Sequence, residues 1–267
     1  MSETQAQRMV GRIVLSTRPG GLAESLSREI TKMGVRAIHL ATIEIQPVHD
    51  AVKPKQIFDR LADFDVLIFI SRNAVKYAEV VASNLAGRCE NKTLLAVGQG
   101  TYEELQDRGF TEVGFTNNNT GSEALLDMEA LCQENVQNTN VLIVRGEGGR
   151  ELLGDSLRAR GAEVQYVEVY QRVKPQIDPL IIKNIWQKQT PDVVMATSVE
   201  GLRNLVEMTD REDLSVFLDT QLLVISQRLK CKAESMGFKA TIKVAMGYSN
   251  DNFVVALKEM LEALDND

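Results

Sequence analysis

One pattern occurs twice in this chain of 267 residues, and that repeat constrains the fold more than any other feature. Val14-Leu15-Ser16-Thr17-Arg18-Pro19-Gly20-Gly21 returns as Leu142-Ile143-Val144-Arg145-Gly146-Glu147-Gly148-Gly149, with Arg18 and Arg145 set 127 positions apart. Gly34 matches Gly161, and Asp65-Val66-Leu67-Ile68-Phe69-Ile70-Ser71 matches Asp192-Val193-Val194-Met195-Ala196-Thr197-Ser198, at the same offset. Leu94-Leu95-Ala96-Val97-Gly98-Gln99 matches Leu222-Leu223-Val224-Ile225-Ser226-Gln227, and Gly109-Phe110 matches Gly237-Phe238, both at 128. Blocks in one order and one frame indicate a duplicated unit.

The repeated blocks are short runs of Val, Ile and Leu without polar alternation, at 13–17, 66–70, 94–97, 141–144, 193–196 and 222–225. Runs of this kind suit parallel strands covered on both faces. Between them, 22–33 and 152–160 repeat apolar residues every three to four positions and stop at Gly34 and Gly161, which read as helix C-caps. Strand, turn and helix in alternation predict an α/β fold of two similar doubly wound parallel-sheet lobes. The length agrees, at roughly 150 residues per domain. Two Pro-containing connectors, 47–54 and 173–179, follow extended stretches at 42–46 and 168–172. If the chain crosses between lobes at both, one lobe is 50–172 and the other combines 1–46 with 176–267, with linkers 47–49 and 173–175. A single cut near Gln137 is the other arrangement the pattern allows.

Composition excludes several classes. A net charge of −7, acids and bases intermixed, and no basic run or stacking aromatic series argue against nucleic acid as a partner. No apolar run reaches the ~18 residues of a membrane span. The polar segment 1–10 lacks the apolar stretch of a secretory signal, so a cytoplasmic protein is expected. Cys89, Cys132 and Cys231 are odd in number and lie outside any CxxC pattern, as free thiols in a reducing compartment would. His39 and His49 are the only histidines, and no Cys, His, Asp or Glu cluster has metal-ligand spacing. The Gly146-Glu147-Gly148-Gly149-Arg150 loop has Glu151 where a dinucleotide fingerprint needs Gly, and lacks the Gly-Lys-Ser/Thr of a phosphate loop. No Gly-x-Ser-x-Gly elbow is present. Nucleotide, metal and hydrolase-triad chemistry are therefore not expected, and no cofactor is assigned.

Chemistry is expected at the carboxyl ends of the strands, where loops lead into helices. Those loops carry Thr17-Arg18-Pro19-Gly20-Gly21, Ser71-Arg72-Asn73, Gly98-Gln99-Gly100-Thr101, Arg145 to Arg150, Thr197-Ser198 and Ser226-Gln227-Arg228. The segment 116–123, with Thr120-Gly121-Ser122-Glu123, starts a further helix. Amides, hydroxyls and Arg forks together can hold carboxylates or phosphates. Taken one at a time, the same residues also serve as helix caps and tight turns. Tyr170, in Val167-Glu168-Val169-Tyr170-Gln171-Arg172, stands where a cleft between lobes would lie. It can exchange a proton there or simply pack the hinge.

Taken in order, these segments resemble the uroporphyrinogen-III synthase family, from about Arg12 to Leu264. Thr17-Arg18-Pro19 before Gly21 is similar to the family's opening motif. Phe69-Ile70-Ser71-Arg72-Asn73-Ala74-Val75 and Ala196-Thr197-Ser198-Val199-Glu200-Gly201-Leu202 resemble its two "F-T/I-S-x-N-A-V" segments. Val97-Gly98-Gln99-Gly100-Thr101 resembles "V-G-x-x-T", and Gly121-Ser122-Glu123 the "S-E-x-L" helix start. Arg145-Gly146-Glu147-Gly148-Gly149-Arg150-Glu151-Leu152-Leu153 resembles "R-G-x-G-G-R-x-x-L", and Glu168-Val169-Tyr170-Gln171-Arg172 the hinge "x-V-Y-x-R". The chain departs from the pattern at Tyr102, where the family usually has Ala. It departs again at Ser226-Gln227-Arg228-Leu229, which replaces "G-P-x-T" and removes a hydroxyl.

The resemblance implies two α/β lobes joined by a two-stranded linker in the interleaved arrangement. It implies a cofactor-independent cyclising lyase of tetrapyrrole and haem biosynthesis, acting on hydroxymethylbilane, a linear tetrapyrrole with eight carboxylates. Loss of the terminal hydroxyl gives an azafulvene, and attack through ring D forms a spiro intermediate whose rearrangement inverts that ring. A substrate so reactive needs mainly to be folded and held. Tyr170 is the implied aid to the departing hydroxyl. Arg18, Ser71, Arg72, Asn73, Gly98, Thr101, Gly121, Ser122, Arg145, Gly146, Thr197, Ser198, Ser226 and Gln227 are the implied substrate contacts. A monomer is expected, with the upstream bilane-forming enzyme as a candidate partner. A two-lobed protein that binds a small anion without turnover is the competing function.

Overall fold

The computed structural model describes residues 9–116, 121–247 and 249–264. The opening segment 1–8 and the Asn-rich run with Thr120, both considered above, lie outside the described residues. Two compact units divide the chain. One takes the described residues up to Glu44 together with those from Val173 onward, and the other is Ile45–Arg172.

In chain order the strands are β1 (Ile13–Ser16), β2 (Arg36–His39), β3 (Glu44–Pro47), β4 (Val66–Phe69), β5 (Thr93–Ala96), β6 (Val113–Phe115), β7 (Asn140–Gly146), β8 (Glu163–Val173), β9 (Val193–Ala196), β10 (Gln221–Val224) and β11 (Ile242–Val244). The first unit holds a sheet of order β11-β10-β9-β1-β2, and the second a sheet of order β3-β8-β7-β4-β5-β6. Each of the six apolar runs forms a strand. The sequence pattern does not reveal β6 and β11, because each is only three residues long.

Under the sequence repeat, β1 and β2 correspond to β7 and β8, while β4, β5 and β6 correspond to β9, β10 and β11. Each sheet therefore joins the first part of one copy to the second part of the other. The registers agree residue for residue: Val14 pairs with Val193 in one sheet and Val141 with Val66 in the other, all parallel. Leu222 opposes Val194 as Leu94 opposes Leu67.

The same atoms start the strands in both copies. The Asn140 N–H donates to Asp65 Oδ2 at 2.8 Å, and the Ile13 N–H to Asp192 Oδ2 at 2.7 Å. Asp192 also accepts from Arg12 Nη1 at 2.8 Å. The helix after β1, Gly20–Lys32, and that after β7, Leu152–Ala159, bury Leu26 with Ile30 and Leu153 with Leu157, one turn apart on one stripe. Both stop at a glycine in the left-handed region, Gly34 at φ 83° and Gly161 at φ 89°, where a Cβ would clash with backbone.

Successive strand residues point to opposite sides and find a core on each. In the second unit Leu67, Phe69, Leu142 and Val144 join one apolar cluster while Val66, Ile68, Val141 and Ile143 join another. In the first unit Leu15, Val194 and Val224 face one cluster and Val14, Val193 and Leu223 the other. Burial on both faces is why these strands carry no polar alternation.

Asp65→Ala and Asp192→Ala each remove a charged acceptor from a strand-starting N–H. Urea unfolding is expected to show losses of about 1 and about 2 kcal/mol respectively, the larger where Arg12 is also released. Unchanged stability in either variant would contradict the matched strand starts.

Candidate functional site

All paired strands within β11-β10-β9-β1-β2 run parallel, so the loops after β1, β9 and β10 leave the same end of one sheet. The loops after β7, β4, β5 and β6 do so in the other. The residues singled out in the sequence fall on these ends.

In the first unit Arg18 is buried. Its Nη1 donates to Asn250 Oδ1 at 2.6 Å and its guanidinium lies 4.8 Å from the Phe253 ring centre. Burial lowers its pKa from the ordinary value. Its carbonyl meets His39 Nε2 at 2.7 Å. Thr197 is half-buried at the end of β9. Ser198 caps helix Val199–Met208 by accepting the Gly201 N–H at 2.9 Å, and Ser226 caps helix Gln227–Ser235 by accepting the Leu229 N–H at 3.2 Å. Gln227 Nε2 lies 3.8 Å from the exposed Cys231 Sγ.

In the second unit Ser71 has two roles. Its Oγ accepts the Ala74 N–H at 3.0 Å, capping helix Arg72–Val81, and lies 3.1 Å from Tyr170 Oη. Arg72 turns away to helix Gln99–Asp107, donating to the Gly100 carbonyl at 2.8 Å and to Glu103 at 2.7 Å. Asn73 is half-buried in the first turn beside it. Gly98 sits at the N-cap of helix Gln99–Asp107, and buried Thr101 donates its hydroxyl to the Val97 carbonyl at 3.0 Å.

Tyr170 is fully buried, and a β-bulge puts it there. Arg145 opposes Glu168 across β7 and β8, but Gly146 opposes Tyr170, so Val169 is the extra residue. Val167, Val169 and Tyr170 consequently share one core cluster, while Tyr166 packs against the other. The Tyr170 ring lies over Gly146, where a Cβ would come within 2.5 Å of Cζ. It also tilts against Tyr77 at 5.9 Å, whose hydroxyl donates to the Ile45 carbonyl at 2.7 Å. The Glu147 N–H donates to the Tyr170 carbonyl at 2.8 Å.

On the other side of β8, Arg145 is nearly buried. Nη1 donates to Glu151 at 2.8 Å, Nε to Glu168 at 3.2 Å, and the guanidinium stacks 3.7 Å over Tyr166. Burial opposes its charge, yet the bonds to Glu151 and Glu168 outweigh that and raise its pKa. The same Arg145 bond lowers the pKa of Glu151. Burial, reinforced by Glu151, raises that of Tyr166.

A cavity of about 270 Å³ brings together Gly121, Ser122 and Arg145 with Arg150 and Glu123, walled by Ile70, Val97, Ile143, Leu153 and Tyr166. The sequence motifs include Arg150, Glu123, Glu151 and Glu168, but none of these, nor Tyr166, is among the substrate contacts expected from sequence. For Arg150 the signal was available, because it closes the glycine loop that Arg145 opens. Among the described residues no three His, Cys, Asp or Glu side chains converge as metal ligands would. No helix among them is long and apolar enough to cross a membrane.

Paired parallel sheets of exchanged halves, with hydroxyls and arginines at their carboxyl ends, define a two-unit α/β protein with a polar loop surface on each unit. A family model described as uroporphyrinogen-III synthase HemD matches residues 24–252. Uroporphyrinogen-III synthase of Escherichia coli (strain K12) is 32% identical over 249 residues, covering 92% of this chain and 99% of that one. The Salmonella typhimurium protein of that name is 31% identical over 252 residues, with the same coverage. In fold, the chain is similar to the crystal structure of uroporphyrinogen-III synthetase from Helicobacter pylori 26695. The TM-score is 0.63 at 16% identity, covering 96% of this chain and 100% of that one. A mutant uroporphyrinogen III synthase from the extremely thermophilic bacterium Thermus thermophilus gives 0.59 at 14% identity, covering 94% and 99%. This chain belongs to the uroporphyrinogen-III synthase family, whose members are cyclising lyases of tetrapyrrole biosynthesis.

Gly146→Ala is expected to push the Tyr170 ring off its seat and separate it from Ser71. Thermal unfolding should show a loss of about 2–3 kcal/mol, the range of an overpacked core site. A variant as stable as the parent would contradict the close approach.

Proposed function

We propose that this chain converts hydroxymethylbilane into uroporphyrinogen III, with loss of water and inversion of ring D. The observation that carries this reading is similarity to a uroporphyrinogen-III synthase along 92% of the chain. The carboxyl-end loops support it. A substrate with eight carboxylates needs many separate donors, and these loops offer backbone amides, capping hydroxyls and guanidinium groups on both sheets. The chemistry lies in the substrate, so the loops need only hold it folded while its terminal carbon meets ring D.

Tyr170 assists departure of the hydroxyl. Ser71 Oγ already accepts the Ala74 N–H at the positive end of a helix, so its own proton is free to point to Tyr170 Oη, 3.1 Å away. In that orientation the phenol keeps its proton for the leaving oxygen. Tyr170 is buried here, so substrate must reach it by local rearrangement of the 146–151 loop that lies against it. Arg18, Arg72, Asn73, Gly98, Thr101, Gly121, Ser122, Gly146, Thr197, Ser198, Ser226 and Gln227 stand as proposed contacts. The protein acts in the cytoplasm.

The test is to supply freshly made hydroxymethylbilane and separate the oxidised products by isomer. Type III product is expected, and Tyr170→Phe should lower kcat about tenfold or more with KM little changed. Type I product alone, at the uncatalysed rate, would contradict the reading and leave a two-lobed anion-binding protein. A kcat unchanged in Tyr170→Phe would remove Tyr170 from the mechanism.

A further inference from the structure

Arg145 and Arg150 stand at the two ends of one loop and line one cavity, yet their surroundings are opposite. The Arg145 side chain is 10% exposed and faces two carboxylates, Glu151 and Glu168, with Tyr166 beneath it. Two acids around one guanidinium leave a negative surplus, so an incoming carboxylate meets repulsion there. Glu168 Oε1 also accepts the Gly148 N–H at 3.2 Å. Arg145 thus joins the loop to β8 near its middle, through Glu168, and to its far end, through Glu151. Arg150 lies between these anchors. Its side chain is 70% exposed and, among the described residues, its ion pair is the long, exposed contact to Glu123 Oε1 at 3.3 Å, a kind of pair that holds weakly and yields easily.

We infer that Arg150 receives a carboxylate arm of the substrate in this cavity, that Glu123 holds its place beforehand, and that Arg145 is a positioning residue for the loop. The inference rests on the function proposed above. A space of about 270 Å³ takes acid side arms rather than a whole tetrapyrrole. Ile70, Val97 and Leu153 suit the methylene carbons of such an arm, and Arg150 with Ser122 suits its oxygens. Guanidinium and carboxylate meet in a two-point fork that ammonium cannot reproduce.

The test compares KM, kcat and the thermal midpoint for the full-length protein and its variants, with hydroxymethylbilane as substrate. Arg150→Ala is expected to raise KM about tenfold, or about 1.4 kcal/mol, with the midpoint unchanged. Arg150→Lys should recover part of that, and Glu123→Gln should lower KM by releasing Arg150. Arg145→Ala should lower the midpoint. Should it not fold, Glu151→Gln, which loosens the loop while keeping Arg145, is expected to lower the midpoint by less. KM within twofold of the parent in Arg150→Ala would overturn the assignment. So would Arg145→Ala with an unchanged midpoint and a raised KM. A parent protein that makes type III product while Arg150→Ala behaves like it defeats this inference alone. A parent that makes none defeats the functional reading as well.

Discussion

The pairing of strands from opposite copies of the repeat is the constraint on which the rest depends. β1 lies beside β9 and β7 beside β4, in matched register, so neither copy completes a sheet from its own strands. A one-residue slip in either pairing would turn every side chain to the wrong core. Asp65 and Asp192 help hold the register by accepting the first N–H of the neighbouring strand. Because β1, β2, β9, β10 and β11 run parallel in one sheet and β4 to β8 in the other, the loops that follow them leave at the same end of their sheet. The proposed binding loops owe their grouping to that direction, since each unit gathers residues from distant parts of the chain onto one sheet end.

Much of this was legible in the sequence because the physics is local. Short unalternating apolar runs followed by turn residues suit strands buried on both faces, and Gly34 and Gly161 stop their helices for the same steric reason. Ser71 and Ser198 read as caps, and each accepts the N–H three residues on. The exchange of halves was not decided by the repeat, because an equal offset fits two sequential lobes and two interleaved ones alike. Only the pairing partners distinguish them. β6 and β11 carry no such signal, because three residues leave no periodicity to read.

The site was less legible than the fold. Alternation along β8 places Tyr166 and Tyr170 on one face, and the extra residue at Val169 separates them. No composition signal marks that bulge, which seats the Tyr170 ring over Gly146. The sequence marks Arg145 as a cation at a strand end, and the structure places it there. What the sequence could not convey is that Glu151 and Glu168, one on its own loop and one across the sheet, already occupy it. In a chain of net charge −7, an arginine's position says little until its acidic neighbours are known. The two faces of β8 thus carry two different devices: a phenol held by a helix cap on one, and a cation held by acids on the other.

The central proposal is that the loops at the carboxyl ends of the strands, rather than the strand starts, bind the polycarboxylate. Amide chemical-shift mapping of the isotopically labelled protein with reduced type III product tests it most directly. Shifts are expected at 17–19, 71–74, 98–101, 121–123, 145–150, 197–201 and 226–229, with the strand starts at Asp65, Asn140 and Asp192 unmoved. Shifts centred on those strand starts, with the carboxyl-end loops silent, would contradict the account.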